Sequence, residues 1–286
     1  MRGRRNAVIM SAGMSSRFVP LSSEKPKGLL KVKGEILIER QIRQLLEAGI
    51  RDITVVTGYM ADKFAYLADK FGVSLVHNPD YERYNNTSSV IRVLDRLGNT
   101  YLCSSDNYFP RNVFADNPGQ SYYSSLYAEG PTAEYCLSTD EEDNIKGVSV
   151  GGHDSWYMIG HVYLDADFGP KFARILENEY LREETRQEYW EDVYIRHLKE
   201  LPPMKARRYN DAEIAEFDTL DELRLFDKSY ITDTRSSVIK AIARRLGVEE
   251  SELRDFRKRE IPGSCSFEAP DGKYFWNPEK QIIERP

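Results

Sequence analysis

The first third of the chain alternates short apolar runs with segments of helical periodicity, and this alternation restricts the fold more than any other feature. The apolar runs are predicted strands, and the amphipathic segments between them are predicted helices. In chain order these are the strand Asn6–Met10, the helix Ile36–Ala48, the strand Ile53–Thr57, the helix Ala61–Phe71, the strand Val73–His77, the helix Ser88–Leu97 and the strand Thr100–Ser104. Strands joined through helices favour parallel neighbours with right-handed crossovers. The sequence therefore predicts a doubly wound, Rossmann-like α/β domain with a mostly parallel sheet.

The middle of the chain changes to short strands separated by turn residues, a pattern typical of antiparallel pairing. We expect them to form a flap at the sheet edge on the substrate side. The predicted flap strands are Tyr122–Tyr127, Glu134–Ser138, Gly147–Val150 and Trp156–Leu164; after them come helices Phe168–Glu179 and Gln187–Leu198, strands Ala206–Tyr209 and Glu213–Phe217, and a helix from Thr219. Residues 1–228 are predicted to be one domain. Residues 229–286 are predicted to be an appendage of helices and a β-hairpin with an Asp271-Gly272 turn.

Charge and apolar run lengths exclude several classes of protein. The formal net charge of -6 leaves no basic surplus for a nucleic-acid partner. The apolar run from Ala7 to Met10 is far shorter than the roughly 7–15 residues of a signal-peptide core or the about 20 of a membrane helix. The three cysteines are far apart and form neither a disulfide framework nor a metal-ligand spacing. We expect a cytoplasmic protein without membrane insertion.

The strongest local signal is a turn of small residues directly after the first strand. Ligands of open α/β sheets bind at the carboxyl edge of the strands, where backbone N–H groups approach phosphates closely. The candidate nucleotide-binding residues here are Ser11, Ala12, Gly13 and Met14. Arg17 offers a fork of charged donors, and Lys27, in the downstream Lys25-Pro26-Lys27, offers a point charge to the transferring phosphoryl group.

This compound pattern resembles the bacterial sugar-phosphate and choline-phosphate nucleotidyltransferases, whose signature is a G-x-G/S-x-R loop followed by K-P-K. The resemblance extends from about residue 6 to residue 228 and is greatest to the CTP:phosphocholine cytidylyltransferase branch. The branch-like segments are Tyr84-Asn85-Asn86, Ser105-Asp106-Asn107-Tyr108, Tyr189-Trp190-Glu191-Asp192 and Glu216-Phe217-Asp218. The resemblance implies the nucleotide-diphospho-sugar transferase fold. Ser11 stands where the family commonly has Ala.

Three acids are candidates for holding Mg²⁺, which would neutralise the triphosphate and align the reacting groups. Asp106 follows the fourth predicted strand at the ligand-binding edge, although an Asp there also fits a turn or a helix cap. Glu216 and Asp218 are two apart in a predicted strand and would share a face. Asp218 also fits the start of a helix cap. The resemblance implies that all three acids hold the metal.

Aromatic and acidic residues of the flap and the following helix are candidates for binding the second substrate. Aromatic faces attract ammonium groups, and neighbouring acids strengthen this attraction. The predicted substrate-binding residues are Tyr135, Tyr163, Tyr189, Trp190 and Asp192, with Trp190 as the least core-like aromatic. Where the phosphocholine enzymes can carry Trp, this chain has Tyr135, so a primary amine such as that of 2-aminoethylphosphonate suits the site as well as choline. Asn86 and Ser88 are candidates for the nucleotide side, with a turn or helix cap as the alternative.

The sequence thus predicts a Mg²⁺-dependent cytidylyltransferase that joins CTP to a small phosphorylated or phosphonate acceptor and releases pyrophosphate. No general base is expected, because the attacking oxygen is already ionised. A sugar-1-phosphate nucleotidyltransferase and a non-catalytic nucleotide-binding regulator are the alternatives. The tail is expected to pack on the domain or to form a dimer contact, so that a homodimer stays an open alternative.

Overall fold

The computed structural model describes residues 4–280 and 282–284. Residues 1–3, part of the basic N-terminus, lie outside them. The strands are β1 (Asn6–Ser11), β2 (Lys31–Val32), β3 (Glu35–Ile36), β4 (Asp52–Thr57), β5 (Ser74–His77), β6 (Thr100–Ser104), β7 (Tyr122–Thr139), β8 (Ile145–Leu164), β9 (Lys205–Arg208), β10 (Arg254–Lys258), β11 (Cys265–Ala269), β12 (Gly272–Asn277) and β13 (Ile282–Glu284).

The α-helices cover fewer residues than the sequence predicts, because several predicted helices divide at a 3₁₀ turn or a break. They are α1 (Leu21–Glu24), α2 (Leu37–Glu47), α3 (Tyr66–Phe71), α4 (Thr87–Val90), α5 (Phe168–Glu179), α6 (Glu183–Arg186), α7 (Trp190–Arg196), α8 (Leu220–Phe226), α9 (Ser229–Thr232) and α10 (Ser237–Leu246). None of these helices is both long and apolar enough to traverse a bilayer within the described part of the chain.

The chain forms two compact units: residues 1–13 with 39–215, and residues 14–38 with 216–286. The predicted division at residue 228 stays a prediction. The first unit contains the largest sheet of the described residues, with strand order β5-β4-β1-β6-β8-β7-β9. Strands β5, β4, β1 and β6 are parallel, and β8 joins them antiparallel to β6. The predicted mixed α/β sheet with antiparallel flap strands is confirmed.

The predicted flap is more continuous than its sequence suggests. The four predicted short strands are parts of the two long strands β7 and β8, so the prediction of separate strands was wrong. Gly130 and Gly151 adopt φ of 77° and 78°, which favours glycine, and the ladder changes register around them. The hairpin bends there, and Cys136 pairs with both Ser149 and Tyr157. The outer half of the hairpin therefore folds back toward the inner half.

The core of the first unit lies between the sheet and helices α5 and α7. Strand residues such as Val8, Leu102 and Val162 pack with Phe172 and Trp190, all at least nine-tenths buried. The apolar runs are buried on both faces, as parallel strands covered by helices require.

The second unit contains a four-stranded antiparallel sheet, β10-β11-β12-β13, and the short hairpin β2-β3. A tight turn joins β11 to β12 as the sequence predicts, but its two central residues are Pro270 and Asp271 rather than Asp271 and Gly272, because Gly272 is the first residue of β12 and pairs with Ala269. Strands β10 and β13, on either side of this hairpin, were missed because β10 is rich in charge and β13 has only three residues. The predicted strand Glu213–Phe217 was wrong: Ala215 makes a single isolated bridge with Tyr108.

Candidate active site

The carboxyl edge of the parallel strands in the first unit carries the small-residue turn that the sequence singles out. Ser11 Oγ donates a hydrogen bond of 2.9 Å to Ser105 Oγ and so joins the ends of β1 and β6. Ala12 is buried, and its carbonyl oxygen accepts from Tyr59 N at 3.0 Å. A Cβ at Gly58 would lie 2.8 Å from that oxygen, so a side chain there would push the turn outward.

The next residues of the turn are open to solvent. Gly13 is exposed, and a Cβ added there would extend into open space. The side chain of Met14 is 37% exposed, and Ser15 adopts a left-handed conformation with φ of 48°. Backbone N–H groups in such an exposed small-residue turn are suited to phosphate oxygens.

Asp106 lies in the turn after β6, where it is partly exposed. Its neighbour Asn107 is buried and packs so closely against Gly160 of β8 that a Cβ added at Gly160 would overlap Asn107 Oδ1. Gln41 holds the same turn, because its Nε2 donates to the carbonyl of Ser104 at 2.7 Å. The carboxylate of Asp106 is thus presented by a tightly packed turn.

In the second unit, the two predicted catalytic cations share one carboxylate. Lys27 is buried, with Nζ 3.5 Å from Asp218 Oδ1, and Arg17 Nη1 lies 2.9 Å from Asp218 Oδ2. The side chain of Arg17 is 74% exposed, so its ion pair adds little to stability. The structure therefore brings together Arg17, Lys27 and Asp218.

Asp218 does not cap the helix that follows it. The N-cap of α8 is Thr219, whose side chain accepts from Glu222 N at 3.2 Å, while the Glu222 carboxylate accepts from the Thr219 and Asp218 amides. The carboxylate of Asp218 is left for Arg17 and Lys27. Glu216 is exposed two residues earlier.

The fit of these acids to Mg²⁺ follows from their chemistry. Carboxylate oxygens are suitable ligands, and Mg²⁺ commonly takes one or two carboxylates, with water and substrate phosphates completing the shell. Across the described residues, no group of three or more His, Cys, Asp or Glu side chains is arranged to hold a metal. A complete protein cage is not the usual way to bind Mg²⁺, so Asp106, Glu216 and Asp218 stay the predicted ligands.

Trp190 lies in the core of the first unit, and the prediction that it is the least core-like aromatic was wrong. It is 1% exposed. Its ring stacks on Tyr123 with centroids 5.8 Å apart and lies steeply inclined to the ring of Phe172, with centroids 5.5 Å apart. The sequence places Trp190 beside two acids. In the structure helix α7 directs Trp190, its first residue, into the core, whereas Glu191 and Asp192 bond to Tyr123 and Tyr135.

Asn86 and Glu191 join the start of α7 to the loop before α4. Asn86 Oδ1 accepts from Trp190 N at 2.7 Å, and Asn86 Nδ2 donates to Glu191 Oε2 at 3.2 Å. Tyr123 donates its hydroxyl to Glu191 Oε1 at 3.0 Å. Burial raises the pKa of Glu191 from 4.5 to about 7 despite these hydrogen bonds. Asn86 thus orients the acidic helix start.

Asp192 accepts a hydrogen bond from the flap. Tyr135, carried by the outer half of β7, donates its hydroxyl to Asp192 Oδ1 at 2.8 Å. Asp192 Oδ2 accepts from Tyr189 N at 2.9 Å, and the side chain of Tyr189 is 47% exposed. Burial, assisted by the bond to Asp192, raises the pKa of Tyr135 well above its usual value of 10, so its hydroxyl stays a donor.

The acidic pocket is the name we use for Asn86, Tyr123, Tyr135, Glu191 and Asp192. It contains three of the predicted residues, namely Asn86, Tyr135 and Asp192. Glu191 and Tyr123 were not selected from the sequence. The pair of adjacent acids could have pointed to Glu191 in the sequence. Only the structure shows that Glu191 bonds to Asn86 and Tyr123 whereas Asp192 bonds to Tyr135.

Two further predicted residues, Tyr163 and Ser88, are buried and hydrogen-bonded within the first unit. Tyr163 is buried, packs on Tyr101 with ring centroids 4.9 Å apart, and donates to Asn99 Oδ1 at 3.2 Å, next to the start of β6. It pairs with Tyr101 near the start of β6, whereas Asp106 follows the end of that strand. The contacts shown here are packing contacts, and its role beside the substrate stays a prediction. Ser88 is fully buried, where its hydroxyl donates to Asn85 O at 2.7 Å and accepts from Asn78. These contacts give Ser88 a role in holding the loop.

Comparisons with known proteins agree on one family. The MobA-like NTP transferase domain matches residues 7–112. A 2-aminoethylphosphonate cytidylyltransferase of Lancefieldella rimae is 34% identical over 239 residues, which are 81% of this chain and 95% of that protein. A choline-phosphate cytidylyltransferase of Streptococcus pneumoniae is 32% identical, with 78% of this chain and 96% of that protein covered.

A solved structure agrees with this result. The CTP:phosphocholine cytidylyltransferase from Streptococcus pneumoniae superposes with a TM-score of 0.76 at 32% identity, covering 79% of this chain and 99% of that chain. Sequence and fold therefore match over nearly the whole length of these relatives. The chain belongs to the nucleotidyltransferase family that contains the choline-phosphate and 2-aminoethylphosphonate cytidylyltransferases.

Proposed function

We propose that this protein transfers CMP from CTP to a small phosphonate or phosphate that carries a primary ammonium group, with 2-aminoethylphosphonate as the preferred acceptor. The acceptor oxygen attacks the α-phosphorus of CTP, a new P–O bond forms, and the bond from that phosphorus to the bridging oxygen breaks. Pyrophosphate leaves with the electron pair. No proton has to be removed from an attacking oxygen that is already ionised.

The acidic pocket is the observation that carries the choice of acceptor. A trimethylammonium group needs aromatic faces around it, but Trp190 is buried and its ring packs on the core residues Tyr123 and Phe172. The groups at the start of α7 are instead the carboxylates of Glu191 and Asp192 and the hydroxyl of Tyr135. Carboxylates accept N–H hydrogen bonds, which a primary ammonium donates and a quaternary one does not.

On the nucleotide side, we assign roles to two cationic residues, three acids and the small-residue turn. Arg17 and Lys27 would stabilise charge on the triphosphate as the bond to pyrophosphate breaks, replacing the bonds that they now make to Asp218. Asp106, Glu216 and Asp218 would hold Mg²⁺, which when bound neutralises phosphate charge and polarises the phosphoryl oxygens. The backbone of Ser11, Ala12, Gly13 and Met14 would contact phosphate oxygens. A cytoplasmic location and a homodimer stay predictions.

A pyrophosphate-release assay tests the proposal by crossing CTP, UTP and dTTP with four acceptors: 2-aminoethylphosphonate, phosphoethanolamine, phosphocholine and glucose-1-phosphate. We expect CTP with 2-aminoethylphosphonate to give the highest kcat/KM and phosphocholine to be at least about tenfold worse, as the loss of one charged hydrogen bond implies. A higher kcat/KM for phosphocholine would refute the choice of a primary ammonium. A higher value for glucose-1-phosphate would refute the ammonium acceptor altogether.

A further inference from the structure

The tail after residue 228 contacts the segment that carries Arg17 and Lys27, as well as α8. Residues 14–38 and 216–286 form one compact unit, although residues 39–215 separate them in the chain. Strand β10 packs against the turn Ser16–Phe18, which includes Arg17. The tail is therefore built around the front segment.

The strongest of these contacts joins Glu24 to the start of α10. Glu24 ends α1, three residues before Lys27. Its carboxylate accepts from Ser237 N at 2.7 Å and from the hydroxyls of Ser236 and Ser237. Ser236 is also the N-cap of α10 and accepts from Ile239 N at 3.1 Å. A carboxylate at a helix N-terminus is stabilised by the exposed N–H groups and the helix dipole.

A second set of contacts holds the chain after Lys27. The carbonyl oxygen of Lys31 accepts from Tyr230 Oη at 3.1 Å and from Arg235 Nη1 at 3.0 Å. Lys33 N donates to Asp227 Oδ2 at 2.7 Å, and Asp227 is buried. The guanidinium of Arg235 lies 4.3 Å from the ring centroid of Tyr230, which fixes both donors.

Lys27 lies between these two sets of contacts along the chain. It begins the 3₁₀ turn Lys27–Leu29, and all three residues of this turn are buried. A lysine that must meet a phosphoryl group within a few tenths of an ångström needs a backbone that does not shift. The tail supplies fixed points for that backbone on both sides.

We propose that residues 229–286 are a scaffold for the catalytic cations, and that the contact of Glu24 with the N-terminus of α10 positions Lys27. This inference rests on the proposed function, because it assumes that Lys27 acts on the triphosphate. Glu24, Ser236 and Ser237 are positioning residues that act through Lys27.

The test compares Glu24→Gln with Lys27→Ala and with the double variant, all in the full chain. We expect Glu24→Gln to lower kcat at least about tenfold at saturating CTP and acceptor, since a charged hydrogen-bond set is lost. The acceptor KM should change less than about twofold, because α7 lies in the other unit. In the Lys27→Ala background, Glu24→Gln should lower kcat by less than about twofold. If Glu24 acts only by positioning Lys27, its replacement has little further effect once Lys27 is absent.

Glu268→Gln is the matched control. Glu268 belongs to the same unit, is exposed, and pairs with Lys273 at 3.2 Å. It should leave kcat within about twofold. If Glu24→Gln does not fold, Ser237→Ala, which removes one hydroxyl donor, takes its place with an expected loss in kcat of about threefold or more.

Two different failures can be separated. If Lys27→Ala alone keeps normal turnover, the role of Lys27 in the proposed function is wrong, and the scaffold role is overturned with it. If Lys27→Ala abolishes turnover but neither Glu24→Gln nor Ser237→Ala changes kcat, only the scaffold role is overturned. A loss from Glu24→Gln that is equally large with and without Lys27 also overturns it.

Discussion

Replacement of Glu191 by glutamine is expected to make acceptor binding weaker while making the fold more stable. Burial raises the pKa of Glu191 from 4.5 to about 7. The charged groups around it supply no full compensation: Asp192 repels the ionised form, while Asn86 and Tyr123 contribute neutral hydrogen bonds. An ammonium group placed beside Glu191 would favour the carboxylate, so acceptor binding should release a proton near neutral pH.

The size of the effect on KM follows from this pKa. Only the ionised fraction of the free enzyme binds the ammonium group well, so the apparent KM should scale as one plus the ratio of protonated to ionised Glu191. With a pKa of about 7, that factor is close to 1 at pH 8, about 2 at pH 7 and about 11 at pH 6. Glutamine has no such titration and should bind about tenfold or more weakly at pH 8.

The effect on stability has the opposite sign. The folded state holds a proton on Glu191 between pH 4.5 and about 7, whereas the unfolded state has lost it. The free energy of unfolding therefore decreases as pH rises through this range. Ionised Glu191 costs up to about 3 kcal/mol at pH 8, at 1.36 kcal/mol per tenfold change. Glu191→Gln should raise Tm at pH 8 and have little effect below pH 4.5.

Initial-rate kinetics from pH 6 to pH 8 measure the acceptor KM of the variant relative to that of the wild type. Protonation of the acceptor itself changes both KM values by the same factor, so it cancels in this ratio. We expect the ratio to fall from about ten at pH 8 to about one at pH 6. Glu188→Gln is a matched control, because Glu188 precedes the same helix and pairs with Arg196; its ratio should stay flat. A pH-independent ratio for Glu191→Gln would refute the reasoning.

Three further predictions concern the first unit. Gly160→Ala should shift the turn at Asn107, because Gly160 has a φ of 53° and the added Cβ would overlap Asn107 Oδ1. We expect kcat to fall by up to about 100-fold without a comparable change in Tm. A normal kcat would show that the turn adapts. Trp190→Ala should lower the free energy of unfolding in urea titrations by about 3–5 kcal/mol, whereas Trp190→Phe should cost less than half of this; equal costs would contradict the packing role. Asp106→Asn should lower kcat about 100-fold or more at saturating Mg²⁺; retained turnover would remove it from the ligand set.

The architecture of the first unit could be predicted because its signals are local. Strand β6 was predicted with its observed bounds and β1 to within one residue, because each is a short apolar run between turn residues. The folded-back flap could not be predicted. Its bend depends on Gly130 and Gly151 lying in facing stretches of β7 and β8. The pairing between the two strands sets this placement, and the residues next to each glycine in the sequence do not show it.

The site residues that are recognised by their charge could be predicted from the sequence. Those whose role depends on burial could not. Arg17, Lys27 and Asp218 are polar residues in small-residue or acidic motifs, and the structure brings them together. Trp190 was misplaced because a single aromatic beside two acids has the same sequence pattern whether it faces the solvent or the core. The burial of Tyr163 against Tyr101 was equally invisible, because nothing in its sequence neighbours shows which end of β8 meets the ligand edge.

The burial of Trp190 also supports the specificity that we propose for the acidic pocket. A tryptophan held by Tyr123 and Phe172 fixes the first turn of α7, so the two following carboxylates have set directions. Glu191 is then held by the hydroxyl of Tyr123, and Asp192 accepts from the flap residue Tyr135. An aromatic cage would attract any small cation, whereas fixed carboxylates select a cation with N–H donors. Trp190, which was predicted to contact the ammonium, is thus a core residue that holds the start of the helix carrying these acids.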